Sequence, residues 1–346
     1  MRVDDLLASG RVPDSALRFA IRRLVGRRLR HETRGSSDLL AQRQNALEAT
    51  LRASPIAIAT DEANEQHYEL PTEFFRLVLG RRLKYSSAYW PAGVRTLDAA
   101  EESMLDLSCR RALLADGQDI LELGCGWGSL TVWMAEHYPN AQILAVSNSA
   151  TQRAEIERRL ASRGLRNVEV RTDDMRRFDP GRRFDRVISI EMFEHMRNYA
   201  LLFERVAGWM RPDALAFVHV FCHRAAAYLF EPAGGGDWLA QHFFTGGTMP
   251  SADLFARFDR HLRIVERWMV AGAHYQRTAD AWLDNLDAHR AEVWPILQAT
   301  YGAEEAGRWL AYWRVFFMAC AELFGFRHGE EWMVGHYRFA RAEGGA

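Results

Sequence analysis

The sequence predicts an α/β fold, an open sheet of largely parallel strands wrapped by helices, and two observations carry the expectation. A short apolar run, Ile120 to Leu123, reads as a buried strand and stops on Gly124, Gly126 and Gly128; a helix then starts at Ser129 with Leu130, Val132, Trp133 and Met134. Further strand-length apolar runs follow at 141–146, 167–171, 184–190 and 214–220. Glycine is needed where the backbone takes a positive φ or a ligand lies against the main chain. The turn is therefore read as the seat of a nucleotide-like ligand at the carboxyl end of a first strand.

The 346 residues allow one large domain or one domain with an appended cap. Hydrophobic content of 48% against 26% charged suits a globular chain with a sizeable core. A formal net charge of −1 leaves no basic footprint, so nucleic acid is not an expected partner. Cys109, Cys125, Cys222 and Cys320 lack metal-ligand spacing and are expected as buried free thiols. The opening Met1-Arg2-Val3-Asp4-Asp5 is not a signal-peptide pattern, and no apolar run is long enough to span a membrane, which makes the cytoplasm the expected compartment.

Residues 1–60 read as a helical N-terminal extension, with Leu6, Leu7, Leu17, Ile21 and Leu24 at helical spacing and Arg22, Arg23, Arg27, Arg28 and Arg30 close together. A solvated cationic face and a peripheral contact with acidic lipid or a second subunit (a homodimer) both fit that pattern. Residues 61–346 read as the main domain, with cap insertions at about 225–260 and 275–325.

Spacing decides the ligand class. A dinucleotide fingerprint wants its third glycine at 129, where Ser129 stands. The pattern from Glu122 is Glu-x-Gly-x-Gly-x-Gly, which resembles the first motif of the class I S-adenosylmethionine-dependent methyltransferases. That resemblance implies S-adenosyl-L-methionine as cofactor and S-adenosyl-L-homocysteine as product, with Glu122, Gly124, Gly126 and Gly128 beside it.

Upstream, His67-Tyr68-Glu69-Leu70-Pro71 leads through Phe74-Phe75 to Lys84-Tyr85-Ser86-Ser87-Ala88-Tyr89-Trp90 and Thr96-Leu97-Asp98-Ala99-Ala100. This order closely resembles the opening segment of the cyclopropane fatty acid synthase superfamily, which includes mycolic acid cyclopropane synthases and coclaurine-type N-methyltransferases. The resemblance implies that Tyr85 and Ser86 reach over the bound cofactor.

The second strand ends in Ser147-Asn148-Ser149-Ala150-Thr151-Gln152, where Asn148 and Gln152 offer donors and acceptors for ribose hydroxyls. Asn148 is also placed to cap the following helix. Asn-x-x-x-Gln matches the coclaurine-type branch. The third strand delivers Asp173-Asp174-Met175, an acid for the adenine amino group and a thioether along its ring, with alignment to the family favouring Asp174. The fourth strand ends at Ile190, also assigned to the cofactor, and runs into Glu191-Met192-Phe193-Glu194-His195-Met196-Arg197-Asn198-Tyr199. Three ionisable groups at a central strand end are costly to bury without a purpose or a partner. A salt-bridged helix start is the bland alternative, but Glu-x-x-Glu-His-x-x-Asn-Tyr matches the family at every fixed position. Two glutamates and one histidine make an incomplete metal shell, so no metal is expected.

The fifth strand carries His219. A looser region beyond it holds Trp238, and Phe243-Phe244-Thr245-Gly246-Gly247-Thr248-Met249-Pro250-Ser251 resembles the amine-methylating branch. Tyr89, Trp238 and Phe244 are the expected aromatic walls for a flat or cationic acceptor. A returning strand is expected at 263–270, then Tyr275 and a helical region at about 280–325 whose Trp294, Trp309, Trp313, Phe316 and Phe317 read as core, then an antiparallel strand at 331–339.

The resemblance runs from His67 to Arg341 and implies a Rossmann-like, seven-stranded class I methyltransferase sheet with helices on both faces, a helical N-terminal extension and a helical cap. It implies N-methylation of a small, aromatic or alkaloid-like amine, with Glu194 and His195 holding the cation and taking its proton, and Glu191 as a supporting anion. The alternative is cyclopropanation of an unsaturated lipid, in which family members hold bicarbonate on Cys, Glu, His and Tyr groups plus a backbone contact. Glu194, His219 and Tyr275 fit those places, but Ser87 stands where the cysteine belongs. A cofactor-binding scaffold without catalysis is disfavoured by the complete Glu191–His195 set.

Overall fold

The computed structural model describes residues 10, 12–58, 70–230, 243 and 246–342. Helices α1 (Asp14–Thr33), α2 (Ser37–Ala53), α3 (Thr72–Val78) and α4 (Leu97–Arg111) precede the sheet. Strands and helices then alternate: β1 (Asp119–Leu123), α5 (Ser129–His137), β2 (Gln142–Ser147), α6 (Ala150–Ser162), β3 (Val168–Thr172) and β4 (Phe184–Ile190). A single 3-10 turn, Phe193–His195, leads to α7 (Tyr199–Trp209) and β5 (Met210–His223). A short ribbon, β6 (Tyr228–Leu229) with β7 (Thr248–Met249), comes before β8 (Leu262–Val270). Then come α8 (Gly272–Ala288), α9 (Arg290–Tyr301) and α10 (Ala306–Phe324), and β9 (Trp332–Arg341) closes the chain.

The seven expected strands form one sheet in the order β3-β2-β1-β4-β5-β9-β8. β1 to β5 run parallel, and β9 lies antiparallel between β5 and β8. Apolar side chains cover both faces, which is why the central strands read as continuous apolar runs rather than alternating ones. Leu105, Leu130, Met134 and Ile143 fill one face; Leu121, Leu144, Phe203 and Tyr337 fill the other. Each such fully buried side chain contributes about 1.5–3 kcal/mol.

Differences from the sequence reading lie mostly at element ends. β2 and β3 each start and stop one residue later than expected. β5 is 14 residues long against an expected seven: β9 pairs with it as far as His223, and at its start Met210 pairs with Phe184 of β4. Partner strands thus set its length where local propensity alone did not. The cap helices begin at Gly272, earlier than the region expected.

On α1, Leu17 and Ile21 pack against the core as expected and continue into buried Val25 and Leu29, while Leu24 stands exposed. Part of the cationic face turns inward. Arg18 donates to Asp280 at 2.7 Å and Glu322 at 3.0 Å, and Arg22 to Glu322 at 2.8 Å, which ties α1 to α8 and α10. Among the described residues no helix is long and apolar enough to cross a membrane. All four cysteines are free, and Cys109, Cys125 and Cys222 are buried.

Gly272 allows the tightest approach in the cap. A Cβ there would sit 2.0 Å from the Trp332 carbonyl oxygen and 2.3 Å from that of Phe324. Backbone cannot yield as a flexible side chain can, so Gly272→Ala is expected to lower stability by more than about 3 kcal/mol in urea unfolding, beyond ordinary overpacking. Gly208→Ala, on the exposed side of α7, meets nothing within 4 Å and should be neutral or slightly stabilising in the same assay.

Candidate active site

β1 delivers its carboxyl end into the glycine turn, where Gly124, Gly126 and Gly128 take φ values of 73°, 52° and 75°. They serve different ends. A Cβ on Gly124 would lie 2.6 Å from the Met192 side chain, and one on Gly128 2.5 Å from Ile156, so protein packing requires both glycines. A Cβ on Gly126 would meet nothing within 4 Å, so here the turn leaves open space for something other than protein. The surrounding cleft is lined in part by Lys84, Tyr85, Ser86, Glu122 and Ile190. Glu122 is buried and accepts from the Thr131 hydroxyl at 2.5 Å; burial pushes its carboxyl up to about 8.

At the end of β2, Gln152 is buried and its Oε1 accepts from Ser147 at 2.6 Å. Its Nε2 is buried with no hydrogen-bond partner among the described residues, a donor that a ribose hydroxyl would satisfy. Asn148 is exposed beside it, and Ser149, not Asn148, caps α6. After β3, Asp174 accepts from the backbone and guanidinium of Arg176 at 2.8 and 2.7 Å, while Asp173 accepts from Asp174 N at 2.8 Å. Met175 is buried. An open Gly126, a partnerless buried Gln152 donor and the flanking acids fit an adenosyl cofactor.

β4 ends at Ile190, and Glu191 turns the chain with a left-handed φ of 46°. Such a conformation costs a non-glycine residue about 1–3 kcal/mol and persists only when its surroundings enforce it. Here its carboxylate is gripped from three segments. Ser87 N donates to Oε1 at 2.9 Å, Tyr275 Oη donates to Oε2 at 2.7 Å, and His219 Nε2 lies 3.0 Å from Oε1. Burial raises the Glu191 carboxyl, while Lys84, the Ser87 amide, Tyr275 and His195 pull it back.

Glu194 lies in the 3-10 turn and is fully buried, with Oε1 accepting from Phe221 N at 2.7 Å. Its Oε2 has no hydrogen-bond partner among the described residues. Burial, then the neighbouring Glu191 charge, push Glu194 well above the carboxylate range. Burial holds His195 down at about 4, so it is a neutral imidazole at pH 7 and keeps one basic nitrogen. The two glutamates are thus driven apart: both are raised, but Glu191, with its several donors, stays the more readily ionised and Glu194 takes a proton first.

Residues 57–331 match the family described as mycolic acid cyclopropane synthetase. The chain belongs to that family. Within it, the chain is 38% identical over 340 residues to the (S)-coclaurine N-methyltransferase of Thalictrum flavum subsp. glaucum, covering 97% of this chain and 94% of that protein. Identity to the cyclopropane-fatty-acyl-phospholipid synthase of Escherichia coli strain K12 is 29% over 272 residues, 78% of this chain and 66% of that one. A crystal structure of coclaurine N-methyltransferase bound to N-methylheliamine and S-adenosylhomocysteine superposes with a TM-score of 0.95 at 37% identity, over 98% of both chains.

Family resemblance grouped Glu194, His219 and Tyr275 around an anion; the structure brings His219 and Tyr275 together on Glu191. Ser87 joins through its backbone amide, and its hydroxyl donates to Ala88 O at 3.2 Å. Tyr89 packs on His274 with centroids 4.6 Å apart, and Tyr85 lies against Phe75 and Trp282 at 5.4 and 5.5 Å. Ser86 Oγ accepts from Lys84 Nζ at 2.5 Å. Trp238 and Phe244 lie outside the described residues. Trp313, Phe316 and Phe317 are core, as read.

Three site residues carried no signal in the sequence. Lys84 is fully buried and donates to Ser86 Oγ and, at 2.8 Å, to Ser87 O; burial lowers its ammonium to about 8 against the pull of Glu191 and Glu101. Glu101 on α4 accepts from the amides of Gly80, Arg82 and Lys84 at 3.0, 2.9 and 3.3 Å. Thr278 on α8 accepts from Ala88 N at 3.1 Å and from the Trp90 indole at 3.0 Å. Lys84 and Glu101 stand in quoted or adjacent motif positions, but only the fold shows them facing inward.

Gly126→Val should leave the fold largely intact and abolish S-adenosylhomocysteine binding in calorimetry, because its side chain enters the one stretch of the turn that protein does not fill. Asp174→Ala should weaken the same binding by about 1–3 kcal/mol, the cost of an unmet buried polar partner. A larger loss from Asp173→Ala would move the adenine contact one residue back.

Proposed function

We propose that this protein is an S-adenosylmethionine-dependent methyltransferase that N-methylates a small amine, of the flat, alkaloid-like kind its relatives' names describe. The observation that carries this reading is the Glu191 carboxylate. In the cyclopropanating branch, the resemblance places a bicarbonate among Cys, Glu, His and Tyr groups and a backbone contact; here His219, Tyr275 and the Ser87 amide already close on a carboxylate of the chain itself. An internal anion at that place attracts a cationic acceptor and removes the need for a dissolved one.

The glycine turn, Tyr85, Ser86, Asn148, Gln152, Asp174 and Met175 would hold S-adenosylmethionine, which would supply an electrophilic methyl group. The protein's own work is to bind the acceptor, strip its proton and exclude water. Glu191 pairs with the incoming ammonium. Neutral His195 accepts the proton so that the nitrogen lone pair is exposed, and Glu194, with an unmet oxygen beside that charge, relays it. Tyr89 and Tyr85 provide aromatic faces suited to a cation or a flat ring. A partner subunit or lipid contact on α1 and a cytoplasmic location belong to the same proposal, and neither is needed to complete the site.

A screen of amines and unsaturated phospholipids with methyl-labelled cofactor tests the reading: label is expected in amines, with turnover unchanged when dissolved carbonate is removed. Carbonate-dependent labelling of a lipid would instead establish cyclopropanation. Glu194→Ala and His195→Ala should each cut turnover about 10²–10⁴-fold with S-adenosylhomocysteine affinity unchanged. Equal losses in cofactor affinity would make the two residues structural.

A further inference from the structure

The contacts of Glu191 do not end at His219. On the far side of that ring, His219 Nδ1 lies 3.0 Å from His336 Nε2, and His336 Nδ1 lies 2.8 Å from an Arg111 guanidinium nitrogen. His219 and His336 are register partners on β5 and β9, so their side chains share one face of the sheet. Arg111 reaches them from the last turn of α4, with its guanidinium 5.0 Å from the Trp268 ring centre. Both histidines are fully buried.

The chemistry of the end members fixes every proton between them. A guanidinium only donates, so His336 Nδ1 must accept. The His336 proton then sits on Nε2 and points at His219 Nδ1, which must accept in turn. His219 is left with its proton on Nε2, donated to Glu191 Oε1. Burial and the nearby Arg111 and Lys84 charges hold both imidazoles neutral, well below their ordinary range. No other tautomer satisfies all three contacts.

We propose that Arg111 and His336 are positioning residues, which lock the proton of His219 onto Nε2 and so keep Glu191 an anion at the methyl-transfer site. This rests on the reading of Glu191 as the charge that meets the amine. The other groups facing Glu191 are Lys84 and the Ser87 amide from the opening segment, Tyr275 from α8, Cys320 from α10, and Glu194 and His195 from the 3-10 turn. None of them touches Nδ1 of His219. Without the donor from His336, the His219 proton is able to move to Nδ1, and Nε2 then turns a lone pair toward the carboxylate. Repulsion between the two is relieved when Glu191 takes a proton, so its pKa rises.

The test uses the full-length protein without any acceptor. Nitrogen-15 spectra of histidine-labelled protein, with His219 assigned by its loss in His219→Gln, should show the Nε2-protonated tautomer. In His336→Phe the Nδ1-protonated form should appear. The Glu191 carboxyl band in infrared titration, assigned by its loss in Glu191→Gln, should move its midpoint up by about one pH unit, a tenfold change in protonation. His336→Gln, which retains an amide donor, should return both signals toward wild type, and S-adenosylhomocysteine should bind the two His336 variants as it binds wild type. A wild-type His219 protonated on Nδ1 overturns the proposal. So does an unmoved Glu191 midpoint in a His336→Phe protein that still binds S-adenosylhomocysteine. If His336→Phe no longer binds it, Arg111→Met is read in its place, where an unmoved midpoint overturns the proposal equally. Failure to methylate any amine would count against the function proposed above and leave these acceptor-free signals standing.

Discussion

One buried negative charge organises the molecule's working end. Glu191 sits at the carboxyl end of β4 in a left-handed conformation, and the groups closing on it come from the segment before the sheet, from β5 and from α8. An isolated carboxylate at that depth would be too costly to keep. It persists because three separate parts of the chain each contribute one contact, so the charge and the packing of the cap over the sheet depend on one another.

The segment between α3 and α4 has no regular structure of its own, yet it supplies Lys84, Tyr85, Ser86 and Ser87 to the site. Its shape is imposed by buried polar groups on neighbouring helices. Glu101 collects three of its amides from one side, and Thr278 with His274 holds the Ala88–Trp90 backbone from the other, His274 Nδ1 accepting from Trp90 N at 3.0 Å. Satisfied buried networks of this kind fix a single arrangement where hydrophobic contacts alone would tolerate several.

Much of this was legible before any coordinates. The glycine turn, the strand run and the Glu191–His195 segment were read from local pattern, because a βα turn and a strand terminus are defined by neighbours in sequence. Glu122 comes from the resemblance to the methyltransferase motif, and Gln152 and Met175 from their places after the second and third strands. What escaped reading depends on partners distant in the chain. Glu101 looks like an ordinary helix surface acid until the loop of residues 80–84 is folded over it. His336 sits in a strand where alternate residues face opposite sides, and nothing local tells which side holds a histidine partner 117 residues away. The pairing of His219 and Tyr275 with Glu191 instead of Glu194 turned on one backbone angle that sequence does not reveal.

That angle has a consequence for the chemistry open to this scaffold. A residue at φ 46° occupies a region where only glycine rests without strain, so the fold itself favours losing the side chain at position 191. Were it lost, the Ser87 amide, His219 and Tyr275 would still converge, now on a void the size and shape of a planar three-atom oxyanion. A small solute of that form could lodge there and do from solution what the tethered group does from the chain. Whether the site's anion is owned or borrowed is decided by one side chain held in place against its own backbone preference.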